Sequence, residues 1–90
     1  MRIYEEEFFY YLDREYKKLE SIFKNIRFLD NRFEKFVISY YKDMKYFYEN
    51  KDFVKAFELE NYIWGILDAL INLGLIEVPE EYKKWFKLFI

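Results

Sequence analysis

The stretch Asp52–Leu75, DFVKAFELENYIWGILDALINLGL, decides the reading of this chain. It is apolar over most of a helical circumference. One polar stripe interrupts it: Glu58, Asn61, Gly65, Asp68 and Asn72 recur at spacings of three and four and so share a face. A helix this apolar must be covered by its own domain or by a partner. A second apolar line runs Ala56, Leu59, Ile63, Ile66, Leu70, Leu73, widened by Phe57, Trp64, Leu67 and Ile71. Gly74 stops the helix.

Working outward, Asn50-Lys51-Asp52 is a tight link before it. Asn50 suits a left-handed helix-end position and Asp52 an N-cap. The preceding helix spans about 32–49, with a seam of Phe33, Val37, Tyr40, Met44 and Phe47. The first helix spans about 4–26, with Phe9, Leu12, Tyr16, Leu19, Phe23 and Ile26 in unbroken a/d spacing. Leu29-Asp30-Asn31 is the turn between these two, with Asp30 or Asn31 as cap. After Val78-Pro79 a short last helix spans about 80–89. Short links between amphipathic helices predict an all-α, single-domain, up-down-up three-helix bundle with a short C-terminal helix. Phe9, Leu12, Leu19, Phe23, Val37, Met44, Phe47, Ile63, Leu67 and Leu70 are its expected core.

Composition narrows function by exclusion. The 90 residues contain no His and no Cys, so zinc sites and thiol or imidazole catalysis are ruled out. Two glycines cannot make a phosphate loop, and Ser21 and Ser39 lie on no nucleophile elbow. Carboxylates remain: Asp68 with Asp43, Glu58 or Glu60 would suit a hard cation, although solvated or lysine-paired acids are the simpler reading. No catalytic residue, metal or cofactor is implied. The net charge of −2 carries no basic field, so nucleic acid is not expected as a partner despite lysines and arginines near the first turn. Acids at 5–7 argue against a secretory leader, and Asp68, Asn72 and Glu77 break the longest apolar run, so a cytoplasmic protein off the membrane is expected. Lys and Glu are abundant and Gln is absent, a composition that hints at a thermophile.

Aromatics make up 26% of the chain, with 11 Phe, 10 Tyr and 2 Trp, more than so small an interior can hide. Exposed Phe would mark an interface. A homodimer or dedicated protein partner is therefore the first functional expectation, using helix three near Gly65 with Trp85, Phe86 and Phe89 as anchors. The alternative is a small-ligand or catalytic pocket of carboxylate and tyrosine between helices two and three. If the hairpin turns near 50–51, facing residues sum to about 102, which sets Asp43 level with 59–62. Asp43 then becomes a half-buried acid bonded to Tyr62 or Asn61, either as a clamp on helix register or as part of a pocket. Gly65 costs roughly 1 kcal/mol against Ala inside a helix, so close helix contact or a ligand against bare backbone must require it.

The stretch YYKDMKYFYENKDFVKAFELENYIWGILDALINLGL (40–75) resembles a family of small archaeal domains of unknown function. Their pattern is Tyr-x-x-Asp-Ala-x-Tyr-Phe, Gly-Asp-Tyr-x-x-Ala, Asn-Tyr-x-x-Gly-x-Leu-Asp-Ala and Leu-Gly-Leu. It falls on Tyr40, Asp43, Tyr46, Phe47, Asp52, Ala56, Asn61, Tyr62, Gly65, Leu67, Asp68, Ala69, Leu73, Gly74 and Leu75. The chain departs at Met44, where the family has Ala, and at Lys51, where it has Gly. The resemblance implies a compact three-helix bundle and no activity. It singles out Asp43, Asn61, Tyr62, Gly65 and Asp68 as the candidate binding residues.

Overall fold

The computed structural model describes residues 2–86, with side chains from residue 4. Three long helices dominate: α1 (Arg2–Asn25), α2 (Asn31–Glu49) and α3 (Phe53–Asn72), followed by a 3₁₀ helix at Glu80–Trp85. The expectation of no strand is corrected. The link after α1 forms β1 (Arg27–Phe28), which pairs antiparallel with β2 (Ile76–Glu77) beyond α3. The Leu29 amide extends the contact to the Leu75 carbonyl at 2.9 Å. Two short extended links thus satisfy each other's backbone where neither helix can reach.

Helix ends follow local chemistry. Asp30 caps α2, its carboxylate accepting from the Arg32 amide at 2.9 Å while Arg32 forks onto the same group. That guanidinium holds the Asp30 carboxyl down at about 2. At the far end of α2 it is Lys51, not Asn50, that takes the left-handed conformation, with φ +62°. The Asp52 amide donates to Phe47 O and the Lys51 amide to Tyr48 O, which is a Schellman closure. Gly74, at φ +74°, closes α3 in the same way through Leu75→Leu70 and Gly74→Ile71. Asp52 stands at the N-cap of α3 without a side-chain bond to it, and faces Lys55 instead.

The core is built from Leu12, Leu19 and Ile22 of α1, Val37 and Met44 of α2, and Ala56, Ile63, Leu67 and Leu70 of α3, joined by Ile76, Val78 and Phe86. Phe23 and Phe47 are half-buried and Phe9 is 40% exposed, so three expected core residues lie at its margin. On α3 the buried line is Ala56, Glu60, Ile63, Leu67 and Leu70. Of the expected line, Ala56, Ile63 and Leu70 are buried, whereas Leu59 and Ile66 are half-buried and Leu73 is 70% exposed, their places taken by Glu60 and Leu67. Aromatic pairs bind the helices laterally: Tyr16 stacks on Tyr48 and Phe23 on Tyr41, both at 4.1 Å, and Tyr40 meets Tyr62 edge-on at 5.0 Å. Such pairs add roughly 0.5–1.5 kcal/mol each beyond area burial.

The C-terminal segment folds back onto its own chain. Phe86 is buried, edge-on to Trp64 at 5.4 Å, and Trp85 stacks on Tyr82. The expected helix over 80–89 is a 3₁₀ segment ending at Trp85, and Phe89 lies outside the described residues.

Candidate functional site

The middle of the α3 polar stripe, from Asn61 to Asp68, opens into a cleft of about 410 Å³ against α1, while Glu58 and Asn72 lie outside it. Tyr11, Arg14 and Glu15 supply the α1 wall. Phe57, Asn61, Trp64, Gly65 and Asp68 supply the α3 wall, and Trp85 stands at one end. Positions 57, 61, 65 and 68 recur at helical spacing, so one face of α3 makes the whole wall. Three of the five candidate binding residues, Asn61, Gly65 and Asp68, are brought together here.

Gly65 decides between its two explanations. A Cβ built on it would meet nothing within 4 Å. Close helix packing therefore does not require this glycine. It leaves a stretch of bare backbone facing the cleft.

Around it the polar groups are unevenly satisfied. The Asn61 amide nitrogen donates to the Phe57 carbonyl at 2.9 Å. Glu15 accepts from Arg14 at 2.6 Å, with Lys18 at 3.8 Å. Arg14 lies over the Tyr11 ring at 4.7 Å and Lys18 over Trp85 at 5.4 Å. By contrast Asp68 Oδ1 and Trp64 Nε1 are buried atoms with no hydrogen-bond partner among the described residues.

Beside the cleft lies Glu60, fully buried, with both carboxyl oxygens unpartnered. Burial pushes its carboxyl up to about 9, and the charges of Glu15 and Asp13 push the same way. The group is therefore protonated at neutral pH. Tyr48 donates its hydroxyl to Asp13 at 2.6 Å, and that bond holds the Tyr48 phenol up at about 12. As an acid, Glu60 reads from the sequence only as a possible cation ligand, yet its spacing of four after Ala56 and three before Ile63 places it on the core seam. Tyr11, Arg14 and Glu15 carried no such signal, since only the approach of α3 makes them a wall.

The other two candidates lie elsewhere. Asp43 and Tyr62 border a shallow depression of about 470 Å³ with Tyr40, Phe47, Lys55, Glu58 and Leu59. Asp43 is exposed and makes no hydrogen bond to α3 among the described residues, which corrects the buried clamp. The seam of α2 buries Val37 and Met44 most deeply, while Tyr40 and Phe47 stay half-buried. Asp43, between those two, falls outside. Tyr62, 53% exposed, meets Tyr40 through its ring. Phe86 is packed inside its own chain and does not stand free as an anchor. Among the described residues no group of three or more acids could hold a metal, and no helix is long and apolar enough to cross a membrane.

Comparison with known families supplies one match. A family described as "Protein of unknown function (DUF357)" matches residues 10–76, most of the chain. The chain belongs to the DUF357 family. The match reaches back into α1 as far as residue 10, further than the sequence pattern over 40–75 extended. Every cleft residue except Trp85 therefore lies within the DUF357 segment. No curated protein and no solved structure matches the chain.

Proposed function

We propose that this DUF357 chain is a non-enzymatic binding module whose working site is the cleft between α1 and α3. In this reading the three long helices stand up-down-up and present the cleft on one side. One observation carries it: Gly65 interrupts a helix interior where Ala would be favoured by roughly 1 kcal/mol, with no packing neighbour to demand it. A bare backbone at the floor of an aromatic-walled cleft suits close approach by a ligand. The groups at hand do not suit catalysis. Glu60 holds a proton but faces the interior, and among the described residues no base and nucleophile stand in hydrogen-bond contact in the cleft.

A protein partner is the natural bearer of such a ligand, with the rest of its contact made by exposed aromatics such as Tyr10 and Tyr11. The depression at Asp43 and Tyr62 supports the second reading, a small-ligand site between α2 and α3, but its acids Asp43 and Glu58 are both exposed, whereas Glu15 and Asp68 of the cleft are half-buried.

The test is a fragment screen by ¹H–¹⁵N NMR on the wild-type chain and Gly65→Leu. Binding that shifts the Trp64 indole and the amides of 61–68, and is lost in Gly65→Leu, supports the cleft. Fragments that gather at Tyr40 and Tyr62 and ignore Gly65→Leu would overturn it in favour of the second reading.

A further inference from the structure

The two orphaned atoms of the cleft are of opposite kind. Asp68 Oδ1 accepts and Trp64 Nε1 donates. They belong to residues four apart on α3, which stand about 5–6 Å from each other at Cβ on one helix face. The open backbone of Gly65 lies on the same wall. A ligand that satisfies both atoms carries a donor and an acceptor close together.

Resting on the cleft as the binding site, we infer that its ligand is an ammonium group with an acceptor oxygen nearby, the chemistry of the amino end of a peptide. The charge of the donor follows from Asp68. Its carboxylate has no cation beside it, because Arg14 and Lys18 both turn to Glu15. Glu15 is already held by those two cations, so Asp68 is the acid left in the cleft for a ligand, and it attracts an ammonium. The aromatic walls fit the same choice, since ring faces attract cations. The chain's own cations take two of those rings, Arg14 over Tyr11 and Lys18 over Trp85, which leaves Phe57 and Trp64 for a ligand's. The acceptor follows from Trp64, whose indole N–H can only donate. In a peptide the first carbonyl stands two bonds from the amino nitrogen and supplies that acceptor. The first side chain then lies against Phe57 or Trp85, in a space of about 410 Å³.

The test uses the ¹⁵N-labelled full chain and three probes: the tripeptide amide Phe-Gly-Gly with a free amino end, its N-acetylated twin, and n-butylamine. The expected result is saturable binding of the free-amino peptide, with shifts at the Trp64 indole and the amides of 61–68. Acetylation should weaken it tenfold or more, and n-butylamine, which lacks the oxygen, should bind more weakly than the peptide. Asp68→Asn should weaken the peptide tenfold or more, while Asp43→Asn, on the other face, leaves it unchanged. Trp64→Phe keeps a ring but loses the donor and should weaken the peptide while sparing n-butylamine. Equal binding of the acetylated twin, or indifference to Asp68→Asn, would overturn the inference. If neutral or anionic fragments fill the cleft and no amine does, the inference falls while the binding site stands. If nothing binds there, both fall.

Discussion

Glu60→Gln should flatten the pH dependence of stability. In the native chain the Glu60 carboxyl lies in the core seam between Ala56 and Ile63, touches no donor, and keeps its proton up to about 9. In the unfolded chain it ionises near its ordinary value of 4.5. Between those limits the folded state holds one proton more than the unfolded state, so stability falls as pH rises. The full contribution is present below about 4.5, declines through neutrality, and is exhausted near 9. The limiting slope is about 1.4 kcal/mol per pH unit, so the loss from pH 4.5 to 7 is on the order of 3 kcal/mol. Chain relaxation or water entry around the carboxylate would reduce that figure. Burial sets most of the shift, the charges of Glu15 and Asp13 add to it, and Tyr16 and Tyr48 lie in the same neighbourhood. Glutamine has nearly the same shape and no proton to lose. Urea unfolding of both chains from pH 4.5 to 8.5 reads the difference directly. The wild type should lose stability across this range and the Gln variant should stay nearly flat. A wild-type profile that is flat or rises with pH would show that Glu60 is ionised in the folded chain and refute the reasoning.

The remaining predictions concern single positions. Lys51→Gly should raise the urea midpoint by the equivalent of about 1 kcal/mol, since an L-residue at φ +62° carries a steric penalty that glycine lacks; a lower midpoint would contradict it. Gly74→Ala should cost roughly 1–2 kcal/mol for the same reason in reverse, measured by thermal unfolding. Tyr48→Phe removes the 2.6 Å bond to Asp13 between α2 and α1 and should cost roughly 1–3 kcal/mol in urea unfolding; no change would place that bond in solvent. Asp30→Asn should weaken the acid-side dependence: the depressed carboxyl contributes above its unfolded value and is lost as pH falls toward about 2, so the wild type should lose more stability than the variant between pH 4 and 2.

The helical framework was legible because its seams obey helix periodicity over long stretches. Val37 and Met44, or Leu12 and Leu19, are seven apart and fully buried. Residues summing to about 102 do meet in the contact of Tyr40 with Tyr62 and in the Lys55 ammonium over Phe47. The β1–β2 pairing was not legible, because two residues per strand carry no alternation to read. Along α3 apolar residues occupy most of the circumference, so periodicity alone leaves the buried line open by one residue. Treating Glu60 as polar moved that line onto Leu59 and Ile66. The site was half legible: Asn61, Gly65 and Asp68 share a face by spacing alone. Which helix they oppose depends on how α1 packs, and so Asp43 and Tyr62 were grouped with them and Arg14 and Glu15 were not.

Gly65 is open for a ligand rather than for packing, and Gly65→Ala measures this most directly. The added methyl meets nothing within 4 Å, so only helix propensity acts on stability. The unfolding free energy of the variant should rise by about 1 kcal/mol over the wild type. A fall in stability would mean that a neighbour does need the bare backbone there, and the case for the cleft as a binding site would lose its foundation.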